Sequence, residues 1–145
     1  MLEARQLEEV RVCGLHYDRT EAFVKQMQKE MEHYGARILP VKSSDEAVED
    51  ADLIITATPA EKPVFDGTRV KKGATISCIG SYQHHMQEMP PVILTRASKI
   101  YFDSEEAVLS EAGDILIPLE DGTITKDNFT GDLGNVIKGE VTGRE

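Results

Sequence analysis

Two adjacent histidines, a methionine and a glutamate follow an apolar, β-branched run in the segment ISCIGSYQHHMQEMP, residues 76–90. Histidine and glutamate are side chains that ligate zinc or transfer protons. Adjacent side chains diverge in most backbone conformations, and a zinc site requires at least three protein ligands. Because Glu88 is the only further candidate close to His84 and His85, the segment does not favour a metal site. It is better interpreted as a loop that follows a strand.

Strand and helix signals alternate along the chain with little linker between them. This alternation indicates an α/β fold, a doubly wound parallel sheet of the Rossmann-like type, and the length predicts a single domain over residues 1–145. Apolar runs predict strands at residues 9–15, 36–41, 51–59, 74–80 and 99–104, of which 51–59 and 74–80 read as continuously buried. Helical signals cover residues 18–34, 43–50, 90–97, 104–114 and part of 127–141.

Helix boundaries can also be predicted from local residue types. Ser43 and Ser104 precede helical patterns and are predicted N-caps, and Asp18 with Glu21 three positions later forms a capping-box pattern. Gly35 and Gly113 are predicted to end the helices that precede them.

Ligand sites on doubly wound sheets lie just beyond the carboxyl ends of the strands. Gly80 follows a predicted buried strand, and a glycine there lets the backbone approach a flat ring closely. Thr56 and Thr58 end another strand, but threonine is also an ordinary strand residue, so these two alone do not establish a site. The segments at such ends are residues 14–16, 56–59, 80–82 and 103–104.

The charge of the chain excludes several classes of partner. A formal net charge of -10, from 26 acidic and 16 basic residues, argues against nucleic acid and anionic membrane surfaces. No apolar run approaches the ~20 residues that span a bilayer, and no signal peptide opens the chain, which predicts a cytoplasmic protein. Cys13 and Cys78 lie in apolar runs without a paired spacing and are predicted to be buried. The acidic residues between 103 and 121, Asp114 among them, are predicted to be solvated, with spacing unlike a calcium loop.

Four motifs carry a family resemblance: ADLIITATPAEKPVFDG, GATISCIGSYQHHMQEMP, YFDSEEAVLSEAGDILIP and DLGNVIKGEVTGR. In this order they resemble the dinucleotide-binding domain of the ornithine cyclodeaminase and mu-crystallin family, over residues 10–144. The resemblance implies NAD or NADP as cofactor, in two-domain and usually dimeric proteins. Members cyclise and deaminate ornithine, reduce cyclic ketimines or interconvert amino and keto acids, and some bind small molecules without known catalysis.

The cofactor positions that the resemblance implies directly follow strands. After the strand at residues 9–15, NAD requires an acidic side chain, and NADP requires an arginine or a small polar residue. Residues 14–16 do not match either pattern, so they do not indicate which of the two cofactors is used. The implied positions are Thr56, Ala57 and Thr58 on the adenosine and ribose side, Ile79, Gly80 and Ser81 at the nicotinamide end, and Gly14, Leu15 and His16 at the selecting turn.

The segment after Gly80 departs from the cyclodeaminase pattern. Where those enzymes have an aspartate as general base this chain has Tyr82, and His84, His85 and Met86 replace Pro-Gly-Lys. A neutral phenol is a poor general base. The resemblance therefore favours the mu-crystallin and ketimine-reductase side, with the catalytic residues unassigned, and residues 81–90 are interpreted as a remodelled loop at the nicotinamide end.

The chain also contains no G-x-G-x-x-G phosphate loop. We therefore expect it to match the central part of the domain, without the first strand or the substrate domain, to bind cofactor weakly or not at all, and to be inactive alone. The strands at residues 9–15 and 51–59 would then pair directly or be covered by another polypeptide, which predicts a homo-oligomer, such as a dimer, or a partner supplying the missing half. A non-catalytic binding or assembly module remains an alternative.

Overall fold

The computed structural model describes residues Met1 to Arg144, which form two compact units, one covering Met1–Ala51 and one beginning at Asp52. In the first unit two strands pair in parallel, with Val10 opposite Ile38. The elements of this unit are β1 (Glu9–Val12), α1 (Tyr17–Glu30), β2 (Arg37–Pro40) and α2 (Ser44–Val48).

Helix α1 packs against β2 and forms the small core of the first unit. Val24 on α1 and Ile38 on β2 are buried, and burying an aliphatic side chain of this size contributes about 1.5–3 kcal/mol. The Gln28 side chain donates a hydrogen bond to the Ile38 carbonyl at 2.8 Å, which fixes the helix along the strand. The helix and the strand therefore hold each other in place.

The predicted helix boundaries of the first unit are confirmed in two places and wrong in one. Ser43 caps α2 by accepting from the Glu46 N–H at 3.2 Å, and Gly35 adopts φ 72° at the end of the turn that follows α1. Helix α1 begins at Tyr17 with His16 as N-cap, so Asp18 lies inside the first turn. A carboxylate is favourable there because it faces the positive end of the helix dipole.

The second unit contains two further pairs of parallel strands, β3 with β4 and β5 with β6. Its core includes Phe65, Met86, Leu94, Phe102 and Ile115. The elements are β3 (Leu53–Thr56), β4 (Thr75–Cys78), α3 (Pro91–Arg96), β5 (Tyr101–Phe102), α4 (Glu105–Glu111), α5 (Gly113–Glu120), β6 (Gly131–Asp132) and α6 (Leu133–Ile137).

Strands β3 and β4 are covered on one face only within the described chain. Ile54 and Thr56 are buried, whereas Ile55 is 42% exposed and Ile79, just after β4, is 65% exposed. The prediction of continuously buried strands is therefore wrong, because successive side chains point to opposite faces and the described residues place a layer against one of them. Cys13, also predicted to be buried, is exposed.

Gly113 begins a helix instead of ending one. Ser104 caps α4 as predicted, accepting from the Ala107 N–H at 3.3 Å, but Ala112 is extended and α5 starts at the next residue. A Cβ on Gly113 would lie 2.2 Å from the Met86 carbonyl oxygen. The glycine thus serves close backbone packing, which a helix-stop pattern does not distinguish.

In the first unit β1 pairs with β2, and in the second unit β3 pairs with β4, so the expected direct pairing of residues 9–15 with 51–59 stays a prediction. The intermolecular alternative stays a prediction. None of the helices described between residues 1 and 144 has the length and apolar character needed to cross a membrane.

Candidate functional site

The candidate site lies where β3 and β4 end side by side. Thr56 is opposite Cys78, and the last hydrogen bond that follows this register runs from the Ile79 N–H to the Thr56 carbonyl at 2.9 Å. Beyond it the N–H groups of Thr58 and Gly80 have no strand partner and donate to a side chain instead. That side chain belongs to Glu88.

Glu88 connects the two strand ends through one carboxyl group. Its Oε1 accepts from the Thr58 N–H, and its Oε2 accepts from the Gly80 N–H at 2.7 Å. The residue is 0% exposed. A buried carboxyl group costs free energy when its oxygens lack hydrogen bonds, and here both oxygens of Glu88 have a backbone donor. We call this arrangement of Thr58, Gly80 and Glu88 the carboxyl bridge.

Asp114, in the first turn of α5, holds the residue that forms the carboxyl bridge. Its Oδ1 accepts from the Glu88 N–H at 2.7 Å and from the Met89 N–H at 2.9 Å. Asp114 is 4% exposed, and its Oδ2 has no hydrogen-bond partner among the described residues. The prediction that this carboxylate is solvated is therefore wrong. It is buried because α5 packs over the 81–90 loop.

The 81–90 loop is fixed along its length by further hydrogen bonds. The Ser81 hydroxyl donates to the Met86 carbonyl at 2.9 Å and accepts from the Asp114 N–H at 3.2 Å. The Gln87 N–H donates to the Ala60 carbonyl at 2.9 Å. With both ends and the middle held, the loop forms a rigid support beneath the ends of β3 and β4.

The two histidines of this loop face different partners. His84 Nε2 lies 2.7 Å from the Ser110 carbonyl oxygen, so this nitrogen carries the hydrogen. His85 Nε2 lies 3.6 Å from Glu61, and both side chains are exposed. Within residues 1–144 no group of three histidine, cysteine, aspartate or glutamate side chains is placed to hold a metal ion.

Burial controls the acid–base behaviour of two groups beside the carboxyl bridge. It raises the pKa of Asp114, against the two backbone N–H bonds from Met89 and Glu88, and the charge of Glu88 raises it further. It also raises the pKa of the Cys78 thiol to about 12, with the Thr56 hydroxyl acting in the opposite direction. At neutral pH Cys78 is therefore a thiol, which is the less reactive form.

The raised pKa of Asp114 predicts a pH dependence of stability. The folded protein holds this proton more tightly than the unfolded chain, so the stability that it contributes is present below the unfolded pKa and is lost as pH rises through the folded pKa. In Asp114→Asn this loss is removed while one oxygen can still accept both N–H bonds. Urea unfolding between about pH 4 and pH 7 should therefore show that the free energy of unfolding of Asp114→Asn increases relative to that of the natural protein as pH rises.

Asp121→Asn is the matched control, because a hydrogen bond from the Thr123 side chain lowers the pKa of Asp121. The stability from that lowered pKa is already fully present above the unfolded pKa, so between about pH 4 and pH 7 the relative stability of this variant should stay nearly constant. Parallel pH profiles for the two variants would contradict the assignment of the Asp114 effect to burial.

The structure brings six of the nine predicted cofactor residues together in the second unit. Thr56 is buried at the end of β3, with Ala57 and Thr58 exposed after it, and Ile79, Gly80 and Ser81 follow β4. Gly14, Leu15 and His16 form the exposed turn between β1 and α1 in the first unit, with Leu15 95% exposed. All nine positions stay predictions as cofactor ligands.

Sequence reasoning missed the roles of Glu88 and Asp114. One local signal was present for each, since Glu88 stands between Gln87 and the apolar run that starts at Met89, and Asp114 opens the apolar run of α5. An acidic residue at the start of a buried run requires a hydrogen-bond donor, and the chain neighbours do not identify that donor.

Comparison with known proteins identifies the family of this chain. Residues 1–145 match the profile of the ornithine cyclodeaminase/mu-crystallin family along the entire chain. The chain belongs to this family. The resemblance seen in the four sequence motifs is thereby confirmed.

Proteins named Delta(1)-pyrroline-2-carboxylate reductase are similar to this chain over part of their length. A Delta(1)-pyrroline-2-carboxylate reductase of Bacillus cereus is 33% identical over 141 residues, which cover 97% of this chain and 42% of the relative. Another B. cereus protein of the same name is 37% identical over 133 residues, 89% of this chain and 40% of the relative. The chain thus spans about two fifths of these relatives.

Solved structures in the family share the fold. The Thermococcus litoralis Delta(1)-pyrroline-2-carboxylate reductase, in complex with NADH and L-proline, has a TM-score of 0.90 and 31% identity, covering 99% of this chain and 43% of that chain. An archaeal alanine dehydrogenase dimer with bound NAD has a TM-score of 0.83 and 26% identity, covering 99% and 42%. These matches confirm the predicted Rossmann-like α/β fold class.

Proposed function

We propose that this chain supplies the nicotinamide side of the cofactor site of an NAD(P)-dependent reductase that acts on cyclic imino acids. The observation that supports this most directly is the pair of turns after β3 and β4, held side by side by the carboxyl bridge. Adjacent strand ends of a parallel sheet are the usual ligand position in this fold. The relatives named for pyrroline-2-carboxylate reduction indicate the substrate class.

Reduction is favoured over deaminating cyclisation. Tyr82 is exposed and occupies the position where the resemblance to cyclodeaminases requires an aspartate. Reduction of an imine adds a hydride to carbon and needs a proton on nitrogen, and a substrate bound as the protonated iminium ion already carries that proton, so the reaction does not require a carboxylate at residue 82.

The residues present fit the nicotinamide end of a reduced cofactor, whose ring is uncharged. Gly80 provides backbone without a side chain, since a Cβ there would meet the Thr58 carbonyl oxygen at 2.0 Å, and Ile79 offers an exposed apolar surface. Thr58 adds an exposed hydroxyl. When bound, a reduced nicotinamide supplies a hydride. The role of these residues would be to hold the flat ring and to exclude water from one side of it.

The diphosphate of the cofactor does not find a comparable site among these residues. The 145 residues contain no Gly-rich phosphate loop, and each missing hydrogen bond to a charged oxygen costs roughly 1.5–3 kcal/mol. A loss of about 5 kcal/mol of binding free energy raises a micromolar dissociation constant above the millimolar range. Calorimetric titration of this chain with NADH and NADPH is therefore expected to give dissociation constants weaker than ~0.1 mM, with no turnover.

A pair of variants tests where the weak binding occurs. In Ile79→Glu a carboxylate is placed where the ring is proposed to lie, so NMR contacts between protein and nicotinamide protons should disappear. In Ile137→Glu, a residue 87% exposed on α6, those contacts should be retained. Equal effects of the two variants, or no ring contacts in the natural protein at about 10 mM NADH, would overturn the proposal.

A non-catalytic assembly module is the second candidate. The exposed side chains of Ile55 and Ile79 favour it, because apolar residues on an uncovered sheet face are suited to packing against another polypeptide. The same titration separates the two candidates, since an intact fold that makes no ring contacts would favour assembly.

A further inference from the structure

The carboxyl bridge uses backbone groups that a ligand would otherwise find at the strand ends. Unpaired backbone N–H groups at helix N-termini and in turns are common donors to phosphate and other anions. Here the Thr58 and Gly80 N–H groups are already donated to Glu88. While the bridge is in place a phosphate cannot use these two donors, whereas an uncharged flat group does not need them.

The bridge is also held from behind, so its position is set by the fold. Asp114 Oδ1 accepts from the Glu88 and Met89 N–H groups, and the Glu88 carbonyl accepts from the Val64 N–H at 2.9 Å. Glu88 is thus fixed through its own N–H and C=O as well as through its side chain. Burying the two connected carboxyl groups of Glu88 and Asp114 costs desolvation free energy. If these side chains only filled space, apolar side chains would do so at a lower free-energy cost.

We infer that Glu88 is a positioning residue for the nicotinamide end of the site, which it shapes by setting the turns at Thr58 and Gly80, and that Asp114 positions Glu88. The inference rests on the proposed function. It adds a specificity element: the bridge occupies two N–H donors that an anion could otherwise use, which favours the uncharged ring of a reduced nicotinamide at this edge. Removal of the bridge should weaken recognition of the ring and leave the rest of a dinucleotide unaffected.

The test compares the natural chain with Glu88→Gln, because glutamine has the same shape and its amide nitrogen cannot accept from an N–H. The ligands are NADH and ADP-ribose, which lacks the nicotinamide, each titrated by NMR. We expect Glu88→Gln to weaken NADH by at least about fivefold while the dissociation constant of ADP-ribose changes by less than about twofold. Glu111→Gln, at the exposed end of α4, should change neither.

An equal loss for both ligands would show a general structural role and overturn the inference, and unchanged NADH binding would do the same. If Glu88→Gln does not fold, the natural chain gives an independent measurement. NADH should then shift the Thr58 and Gly80 amide resonances and ADP-ribose should leave them in place, and equal shifts would overturn the inference. Failure of the natural chain to bind NADH would overturn the proposed function and the positioning role together. In that case a low-field amide proton resonance of Gly80 without ligand would still show that its N–H donates to Glu88.

Discussion

Gly80→Ala is expected to destabilise the protein by at least about 3 kcal/mol, a large share of the roughly 5–15 kcal/mol that stabilises a typical domain. A Cβ at this position would lie 2.0 Å from the Thr58 carbonyl oxygen and 2.5 Å from Glu88 Oε2. The first contact is with backbone, so no rotamer change relieves it. The turn after β4 would have to move away from β3, which breaks the Gly80 donation to Glu88. Far-UV circular dichroism and urea unfolding measure the effect.

Gly134→Ala is the control for this change, because a Cβ at Gly134 in α6 meets nothing within 4 Å. Alanine also favours a helix interior over glycine by about 0.5–1 kcal/mol, so this variant should be as stable as the natural protein or more so. If the free energies of unfolding of Gly80→Ala and of the natural chain differ by less than about 0.5 kcal/mol, the described close approach of the two strand ends is wrong.

Glu88→Ala is expected to lower the free energy of unfolding by roughly 2–6 kcal/mol, since two buried N–H groups lose their acceptor at about 1–3 kcal/mol each. The affected groups are those of Thr58 and Gly80. The side chain is fully buried, so the truncation also leaves a cavity. Urea unfolding at neutral pH measures the loss, and hydrogen exchange at the Gly80 amide should accelerate with it.

Glu111→Ala provides the comparison, because it removes the same carboxyl group from an exposed position on α4. Surface changes of this kind usually stay within about 0.5 kcal/mol. If the two variants lose equal stability, the effect comes from charge or composition, and the carboxyl bridge would not explain it.

Both predictions concern the same few atoms, where two backbones and one carboxyl group meet. Crowding at Gly80 and hydrogen bonding by Glu88 depend on each other: the glycine permits the approach that lets one carboxyl group reach both turns. A rigid arrangement at the strand ends is the property that a hydride-transfer site requires, because a small misplacement of reacting atoms costs much of the rate.

Much of the fold and of the site position was predictable from local patterns. Apolar runs located β1 to β5, and Ser43 and Ser104 located two helix starts. The rule for parallel sheets located residues 56–59 and 80–82 at strand ends. The motifs identified the family, which the match over residues 1–145 confirms. These features depend on residues near each other in the chain, and periodicity and capping record such relations directly.

Only the tertiary structure decided what Glu88, Gly113 and Asp114 do. Glu88 bonds to residues 30 and 8 positions away, and its own N–H bonds to a residue 26 positions away. Sequence patterns placed Asp114 in solvent and made Gly113 a helix stop, whereas packing of α5 on the 81–90 loop buried the first and required the second. The reason is physical: a buried polar group is stable only with a partner, and the folding of distant segments determines which partner it meets.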